Sequence, residues 1–355
     1  MECVMNLKEL KFAGKTARIP IIQGGMGIGV SRFRLAGAVA KAGGVGMIST
    51  AQIGYDEPDF ESDTRGCNLR AIEKHIKLAK QEAGHGLVGA NIMVALRDYA
   101  DHVRAAVRAG ADLIVCGAGL PADLPALADH PDTAIAPIVS TRKAASVLLR
   151  MWDKKYKRTA DLLVIEGPKA GGHLGFQARQ LEDLAALHYE EEIKQIIQEK
   201  QIYEDKYGKA IPAVVAGGIF DQSDIKHAIA LGADGVQIAT RFVATEECDA
   251  SMAYKKAYVK AQDQDVVIIN SPVGMPGRAI QNAFIETARQ GRIPVQKCYQ
   301  CIQTCRPDET PYCITQALVN AVRGNLEQGL IFCGVNVGRI KEITTVPALM
   351  RELTT

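Results

Sequence analysis

Short, continuously apolar segments recur along the first two-thirds of the chain, and each is followed by a stretch with helical spacing of its apolar residues. Segments such as LIVCG and AVVAGG lack the alternation of a strand with one solvated face, so they indicate parallel strands buried on both faces. Eight strand–helix units favour an α/β fold that closes as a (β/α)8 TIM barrel, while a miscounted strand would leave an open doubly wound sheet as the alternative. The expected strands are residues 20–23, 45–49, 87–91, 113–116, 135–139, 162–166, 213–216 and 235–238.

The alternation of apolar strand segments and helical stretches stops after residue 244. Between residues 245 and 336 the segments AIQNAFIETARQ and TQALVNAVRGN have helical spacing, so we expect a C-terminal helical subdomain on the substrate side of the barrel. The final IKEITTVPALMREL is amphipathic, although Pro347 interrupts it. We expect residues 337–355 to return to the barrel as its last helix, so that residues 1–244 and 337–355 form one domain.

Charge and hydropathy limit the partners. Lys and Arg number 42 against 40 Asp and Glu, so the formal charge of +2 creates no field that would attract nucleic acid or an anionic membrane. The N-terminal sequence MECVMNLKELKFAGKTARIP lacks the apolar core of a secretory signal, and no apolar run approaches the roughly 18 residues of a membrane span. We therefore expect a cytoplasmic protein with small-molecule partners, in which a homodimer is left open.

Glycine-rich segments follow the first, sixth and seventh expected strands, in QGGMGIG, EGPKAGGHLG and AGGIFD. The loops at the carboxyl ends of barrel strands form the active site, and those after strands seven and eight often bind phosphate through backbone N–H groups. Here these loops are Ala216-Gly217-Gly218 and Ala239-Thr240-Arg241, one βα unit apart. They predict a phosphate-bearing ligand. Ordinary tight turns are the alternative, and sugar-phosphate barrels share the arrangement, so these loops alone do not specify a flavin.

His173 differs from the other six histidines because of its position. It follows the sixth strand and has Gly171, Gly172 and Gly175 around it, which leaves space for a flat ring against the backbone. An imidazole with a pKa near 6.5 is largely neutral at pH 7 and can remove a proton from the carbon next to a nitro or carbonyl group. We expect His173 to be the catalytic residue.

Four cysteines lie close together late in the chain. Cys298, Cys301, Cys305 and Cys313 have the spacing C-x2-C-x3-C-x7-C, which can enclose Zn or an iron–sulfur cluster. The first three also stand at i, i+3 and i+7, as on one face of a helix. Reduced cysteines packed as small apolar side chains are therefore the alternative.

Three segments together resemble the nitronate monooxygenase family, formerly called 2-nitropropane dioxygenases. They are PIIQGGMGIGVSRFRLAGAVAKAGGVGMIST, EGPKAGGHLG and AGGIFDQSDIKHAIALGADGVQIATRF, and the likeness continues through SPVGMPGRAIQNAF and FCGVNVGRI. The FMN-dependent type II enoyl-acyl-carrier-protein reductases share this barrel, flavin site and AGGH loop. The resemblance implies an FMN-dependent oxidoreductase in which His173 takes the position of the catalytic histidine.

The resemblance also implies the site residues. The expected FMN-binding residues are, around the ring, Gly24, Gly25, Met26, Asn91, Glu166, Gly171, Gly172, Gly175 and Gln237, and, at the phosphate, Gly217, Gly218, Ala239 and Thr240. Ser271, Met275 and Asn336 would lie near the substrate pocket. Family members often have Gly-Thr where this chain has Ala239-Thr240, so an extra methyl group could crowd the phosphate.

Four functions follow from these observations. The first is oxidation of alkyl nitronates or nitroalkanes with O2, and the second is reduction of enoyl thioesters with NAD(P)H as electron donor. The third is a flavin- or phosphate-binding protein without turnover. The fourth is a lyase or isomerase of sugar phosphates. A metal or cluster at the four cysteines would favour electron delivery to the flavin over a simple monooxygenase.

Overall fold

All eight segments expected to be barrel strands are strands in the computed structural model, which describes residues 7–355. Residues 1–6, where the N-terminal sequence tested for a secretory signal begins, lie outside the described residues. The strands are β1 (Leu10–Phe12), β2 (Lys15–Ala17), β3 (Ile21–Gln23), β4 (Val45–Ser49), β5 (Leu87–Met93), β6 (Leu113–Gly117), β7 (Ala134–Val139), β8 (Leu163–Glu166), β9 (Gly172–His173), β10 (Ala213–Ala216), β11 (Gly235–Ile238), β12 (Val266–Asn270) and β13 (Pro276–Ile280). The helices are α1 (Phe33–Lys41), α2 (Thr64–Ala83), α3 (Tyr99–Arg108), α4 (Leu124–Leu127), α5 (Arg142–Tyr156), α6 (Tyr189–Tyr207), α7 (Gln222–Ala230), α8 (Thr240–Val243), α9 (Met252–Lys260), α10 (Ala283–Gln290), α11 (Ile314–Arg323) and α12 (Val346–Thr354).

Strands β3 to β8, β10 and β11 form a closed parallel barrel in chain order. The barrel closes where β11 pairs with β3, with Val236 opposite Ile21 and Ile238 opposite Gln23. The predicted TIM barrel is therefore confirmed, and the open-sheet alternative is wrong.

Two hydrophobic cores account for the consecutive apolar positions of the strands. Ile22, Val45 and Met47 belong to the core inside the barrel, whereas Ile21 and Ile48 belong to the core between strands and helices. Because neighbouring residues of a strand point to opposite faces, both faces must be apolar. The β1–β2 hairpin packs its own apolar residues into the interior core, so it covers the amino-terminal end of the barrel.

The segment 245–336 contains the expected helices α10 and α11, together with strands that the sequence did not predict. Strands β12 and β13 form an antiparallel pair, and β13 also pairs with β9, so that Gly277 lies opposite His173. The apolar run VVIIN is rich in β-branched residues, which favour a strand. This segment is therefore joined by backbone pairing to the histidine loop.

The region that follows the barrel strands ends in α12, which packs against α1 and α7. These helices follow the first and seventh barrel strands, and α12 lies between them in the place of an eighth helix. Pro347 does not interrupt α12 but stands in its first turn, where its missing N–H would have no partner, and the Thr345 side chain caps the helix by accepting a hydrogen bond from the Ala348 N–H.

Helical spacing predicted one segment correctly and another wrongly. The charged stretch after residue 177, LEDLAALHYEEEIKQIIQEKQIYEDKYGKA, has apolar residues at helical spacing, which predicts a helix. It forms α6, preceded by a short 3-10 turn. Residues 291–313 form no helix, so the interpretation of Cys298, Cys301 and Cys305 as one helical face is wrong. The i, i+3, i+7 spacing of these cysteines does not distinguish a helix from a loop, because a loop can have the same spacing. Among the helices of residues 7–355, none is long and apolar enough to cross a membrane.

A glycine sets the distance between α1 and β4. A Cβ added to Gly46 would lie 1.8 Å from the carbonyl oxygen of Ala36. We expect Gly46→Ala to force these elements apart and to lower the free energy of unfolding by about 1–3 kcal/mol, measured by chemical denaturation. Gly291→Ala is the matched control, because nothing lies within 4 Å of its added Cβ and its φ of 166° is extended. Equal stability of the two variants would contradict this account of the packing.

Candidate active site

A cavity opens at the carboxyl ends of the barrel strands, where the glycine-rich loops meet. It brings together most of the residues that the sequence predicted, although they come from the ends of five different barrel strands and the segments that follow them. Those residues are Gly24, Gly25, Met26, Asn91, Glu166, Gly171, Gly172, His173, Gly217, Gly218, Gln237, Ala239 and Thr240.

Two adjacent turns form one end of the cavity. Strands β10 and β11 are neighbours, so the turn at Gly217-Gly218 lies beside the turn at Ala239-Thr240. Gly217 and Gly218 have φ values of 92° and 87°, a conformation that suits glycine. Helix α8 begins at Thr240 directly after β11, and the first N–H groups of a helix have no partner within it. Glycine backbone and a helix start thus form a site that suits a phosphate group.

Ala239 was expected to crowd the phosphate. In the structure its Cβ lies 3.2 Å from the position of a Cβ added to Gly24, so the methyl group packs towards the β3 turn. Thr240 uses its hydroxyl oxygen to accept a hydrogen bond from the Gly334 N–H at 3.0 Å. This hydroxyl therefore ties the turn to the C-terminal region, in addition to facing the cavity.

Lys169 is a residue of this end that the sequence did not reveal. It lines the cavity, and its Cδ lies 2.8 Å from the position of a Cβ added to Gly218. Its place within EGPKAGGHLG, four residues before the histidine, was the available signal. A lysine beside the two turns supplies a positive charge for an anionic group.

The other end of the cavity contains polar groups without protein partners. The Gln237 Oε1 atom is buried and has no hydrogen-bond partner within residues 7–355. Burial raises the pKa of the Glu166 carboxyl to about 7, so this group can be a donor or an acceptor near neutral pH. A Cβ added to Gly25 would lie 2.3 Å from Asn91 Cβ, so only glycine allows this close packing at the rim. Unpaired polar atoms beside exposed glycine backbone fit a flat, polar-edged ring such as that of FMN.

His173 lies beside this end, on β9. Its Nε2 is 2.7 Å from the Ser271 hydroxyl oxygen, and its half-buried ring packs edge-on against Phe332 with centroids 4.9 Å apart. Burial lowers the pKa of the His173 imidazole to about 4, so the ring is neutral at pH 7. Ser271 also accepts a hydrogen bond from the Val273 N–H. The serine thus fixes a neutral imidazole at the cavity wall.

A buried arginine positions the histidine loop. Arg278 on β13 is 3% exposed, and its guanidinium donates hydrogen bonds to the carbonyl oxygens of Pro168, at 2.7 Å, and Ala170. No sequence motif pointed to this residue. Burying a charge in this way requires several good acceptors, and here they are the backbone of the loop that precedes His173.

The remaining predicted residues lie elsewhere. Gly175 does not line the cavity and instead packs beside Ser140, since an added Cβ would lie 2.7 Å from its hydroxyl oxygen. The three predicted substrate-pocket residues, Ser271, Met275 and Asn336, are also outside the lining. Asn336 donates a hydrogen bond to the Gly218 carbonyl oxygen at 2.7 Å, so it supports the phosphate-end turn from behind. Of the three substrate-pocket residues, Ser271 is the one that contacts His173.

Aromatic residues from the C-terminal part of the chain complete the wall. Tyr254 and Tyr258 of α9, Leu318 of α11 and Phe332 line the cavity, and the Tyr258 hydroxyl donates a hydrogen bond to the Phe332 carbonyl oxygen. The i, i+4 spacing of the two tyrosines was the only signal in the sequence, and it is equally typical of a core helix. These residues supply the apolar cover of the site.

The fold and this cavity define a (β/α)8-barrel scaffold of the type used by flavin oxidoreductases. A family model described as nitronate monooxygenase matches residues 8–355. The chain belongs to this family, and the resemblance found in the sequence is confirmed.

Individual relatives show the range of the family. The chain is 26% identical over 272 residues to "(3aS,4S,5R,7aS)-5-hydroxy-7a-methyl-1-oxo-octahydro-1H-indene-4-carboxyl-CoA dehydrogenase" of Mycobacterium tuberculosis, covering 77% of this chain and 66% of that protein. It is 31% identical over 165 residues to a probable nitronate monooxygenase of Staphylococcus saprophyticus, covering 46% of this chain and 40% of the relative. The chain thus spans less than two-thirds of the length of these curated relatives. The solved structure of FabK from Thermotoga maritima is similar, with a TM-score of 0.71, 26% identity and coverage of 94% of this chain and 91% of that one.

The Gly217-Gly218 turn provides a test of the phosphate end. A Cβ added to Gly217 would lie 2.8 Å from the Ala170 nitrogen, at a φ that disfavours any side chain. We expect Gly217→Ala to weaken FMN binding about tenfold or more, because the strain costs roughly 1–2 kcal/mol. Riboflavin, which lacks the phosphate, should lose less affinity. Flavin fluorescence titration measures both.

Gly208→Ala is the matched control for this prediction. Gly208 ends α6 with a φ of 59°, and nothing lies within 4 Å of its added Cβ. It therefore introduces a similar backbone strain away from the cavity, and FMN affinity should not change. Equal losses for FMN and riboflavin in Gly217→Ala would contradict phosphate binding at this turn.

Proposed function

We propose that the protein is an FMN-dependent oxidoreductase that oxidises alkyl nitronates and nitroalkanes with O2. Bound FMN would supply the redox chemistry, taking electrons from the substrate and passing them to oxygen. The residues of the two phosphate-end turns, with Lys169 beside them, would bind the phosphate. Gly24, Gly25 and Asn91 would border the ring. These assignments are supported by the cavity lining and by family membership.

One observation carries the choice of reaction: the catalytic candidate is a neutral imidazole fixed by a hydroxyl group. A neutral nitroalkane must lose a proton from the carbon next to the nitro group before it can donate electrons, and His173 has the free base form for this step at neutral pH. Ser271 would orient the ring through the 2.7 Å contact. If the His173 Nε2–H donates to Ser271, Nδ1 is the atom that accepts the substrate proton. A nitronate is already an anion and does not need this step.

Apolar cover around the base also has a chemical consequence. Phe332, Tyr254 and Tyr258 reduce the access of water to the end of the cavity near His173. The same desolvation lowers the pKa of the imidazole, which makes His173 a weak base. The cavity must therefore hold the substrate proton close to the imidazole for the transfer to be fast. A carbon acid such as a nitroalkane, whose proton is acidic because the nitro group accepts the charge, suits a weak base.

A second candidate is reduction or oxidation of an acyl thioester with NAD(P)H as the redox partner. The observation that favours it is the Mycobacterium tuberculosis relative, whose name gives a CoA thioester as substrate and whose alignment covers 77% of this chain. Rapid bleaching of the bound flavin by NADH or NADPH would support this candidate. Oxygen consumption with ethylnitronate, without nicotinamide, would support the first one.

Replacement of the proposed base should affect the rates with two substrates differently. We expect His173→Gln to lower kcat/KM for neutral nitroethane by about 10²–10⁴-fold, while ethylnitronate is oxidised at close to the original rate. Oxygen consumption measures both rates. His227→Gln is the matched control, because His227 is exposed and pairs with Glu190 outside the cavity. Equal loss on both substrates with normal FMN content would argue against a role in proton removal.

The pH profile should reflect the lowered pKa of His173. The imidazole is neutral above its pKa of about 4, so the base form is present throughout the range in which an ordinary histidine, with a pKa near 6.5, becomes protonated. We expect kcat/KM for nitroethane to fall only below about pH 5. Glu166 also lines the cavity and has a pKa raised by burial to about 7, and Glu166→Gln removes its contribution to the profile. A limb near pH 6.5 in Glu166→Gln would show that the histidine is not desolvated.

A further inference from the structure

The four late cysteines converge in the fold at a site separate from the flavin cavity. Cys298, Cys301, Cys305 and Cys313 all line a second cavity of about 280 Å³. Three of them lie in the irregular segment before α11, and Cys313 is the N-cap residue of α11. Cys298 is exposed, the other three are partly buried, and all four are free thiols. The chain therefore gathers these cysteines around one accessible space.

Backbone N–H groups point to two of these sulfur atoms. The Gln300 N–H donates to Cys298 Sγ at 3.4 Å, and the Gln316 N–H donates to Cys313 Sγ at 3.5 Å. Such bonds stabilise negative charge on sulfur and tune the reduction potential of thiolate-bound clusters. Arg97 also lines the cavity, and a positive charge on this residue would offset part of the charge of several thiolates. Burial raises the pKa of the Cys301 and Cys313 thiols, so a bound metal would be what holds these sulfur atoms in the anionic form.

The spacing and the volume distinguish between two kinds of occupant. Structural zinc sites commonly join two separate Cys pairs, and Zn–S bonds of about 2.3 Å leave no room between four sulfur atoms. Here three cysteines lie within eight residues and the fourth follows eight residues later, around a space of about 280 Å³. Iron–sulfur clusters are bound by such compact runs of cysteines and need an interior volume.

The position of the site gives a second reason to favour a redox centre. Leu96 and Ile302 form a β-bridge, and the Arg97 N–H donates to the Cys301 carbonyl oxygen. The cysteine loop is thereby fixed to the segment that follows β5, whose Met93 lines the flavin cavity. Helix α11 begins directly after Cys313, and Leu318, five residues further along, lines the same cavity. At about 1.5 Å per residue, Cys313 and Leu318 lie roughly 8 Å apart along the helix axis, so α11 connects the cysteine segment directly to the wall of the flavin cavity.

From these observations we propose that Cys298, Cys301, Cys305 and Cys313 bind an iron–sulfur cluster next to the flavin cavity. Among residues 7–355, no three Cys, His, Asp or Glu side chains stand in a ready-made coordination arrangement. Loading therefore requires the four side chains to rearrange around the cluster, which the irregular segment and the exposed Cys298 permit. A cluster here would favour electron delivery to the flavin, which suits the acyl-thioester candidate better than the oxidation of nitronates with O2.

The test is anaerobic purification of the full chain, followed by iron and acid-labile sulfide analysis and by electron paramagnetic resonance after dithionite reduction. We expect about four iron and four sulfide per chain and a signal from the reduced cluster. Cys301→Ser and Cys313→Ser should each lose most of the iron and the signal. FMN content and circular dichroism, measured on the same samples, report separately on the flavin site and on folding.

Cys67→Ser is the matched control. Cys67 is buried in α2, does not line the cysteine cavity, and donates a hydrogen bond to Asp59 at 2.8 Å, which a serine hydroxyl can replace. Iron content should be unchanged in this variant. Stoichiometric zinc without iron, a disulfide detected by mass spectrometry, or no bound metal after anaerobic reconstitution with ferrous iron and sulfide would each overturn the proposal.

Discussion

The pairing of β11 with β3 is the contact on which the candidate site depends. It joins strands more than two hundred residues apart, and at the rim the Gly24 N–H donates to the Ile238 carbonyl oxygen at 2.8 Å. This bond brings the QGGMGIG turn next to the Ala239-Thr240 turn. Without closure, the QGGMGIG turn after β3 and the Ala239-Thr240 turn after β11 would lie on different edges of a sheet. The geometry of the cavity is thus a consequence of barrel closure, which packing on both faces of every strand stabilises.

Closure alone leaves the cavity open to water, and the C-terminal part of the chain covers it. The covering part does not simply lie on the barrel, because β13 pairs with β9 and Arg278 donates hydrogen bonds to the loop before His173. Phe332 and the two tyrosines of α9 then complete the apolar wall. The histidine therefore belongs to both parts: the barrel supplies its loop, and the covering segment sets its orientation and its pKa.

The sequence predicted the barrel well because two-sided burial affects every residue of a strand. A run such as LIVCG is too short for a buried helix and too uniformly apolar for a strand with one solvated face. The glycine segments indicated a binding site because they follow predicted strands. Residues such as Arg278, Phe332 and Lys169 were missed because each acts through contacts with segments distant in sequence, and a single residue has no periodicity. Strands β12 and β13 were missed for a related reason, since they pair with each other and β13 also pairs with β9, a two-residue strand in the distant histidine loop.

In the cysteine segment, the spacing of the sequence predicted a helix that the structure does not contain. Its i, i+3, i+7 spacing satisfied a helical rule, yet residues 291–313 form a loop fixed by the Leu96–Ile302 bridge rather than by helical hydrogen bonds. Local spacing was compatible with both conformations, and the contact with the end of β5 decided between them. The same contact joins the cysteine segment to the end of β5, whose Met93 lines the flavin cavity. The contact that excludes a helix is therefore also the one that would place the proposed cluster near the flavin site.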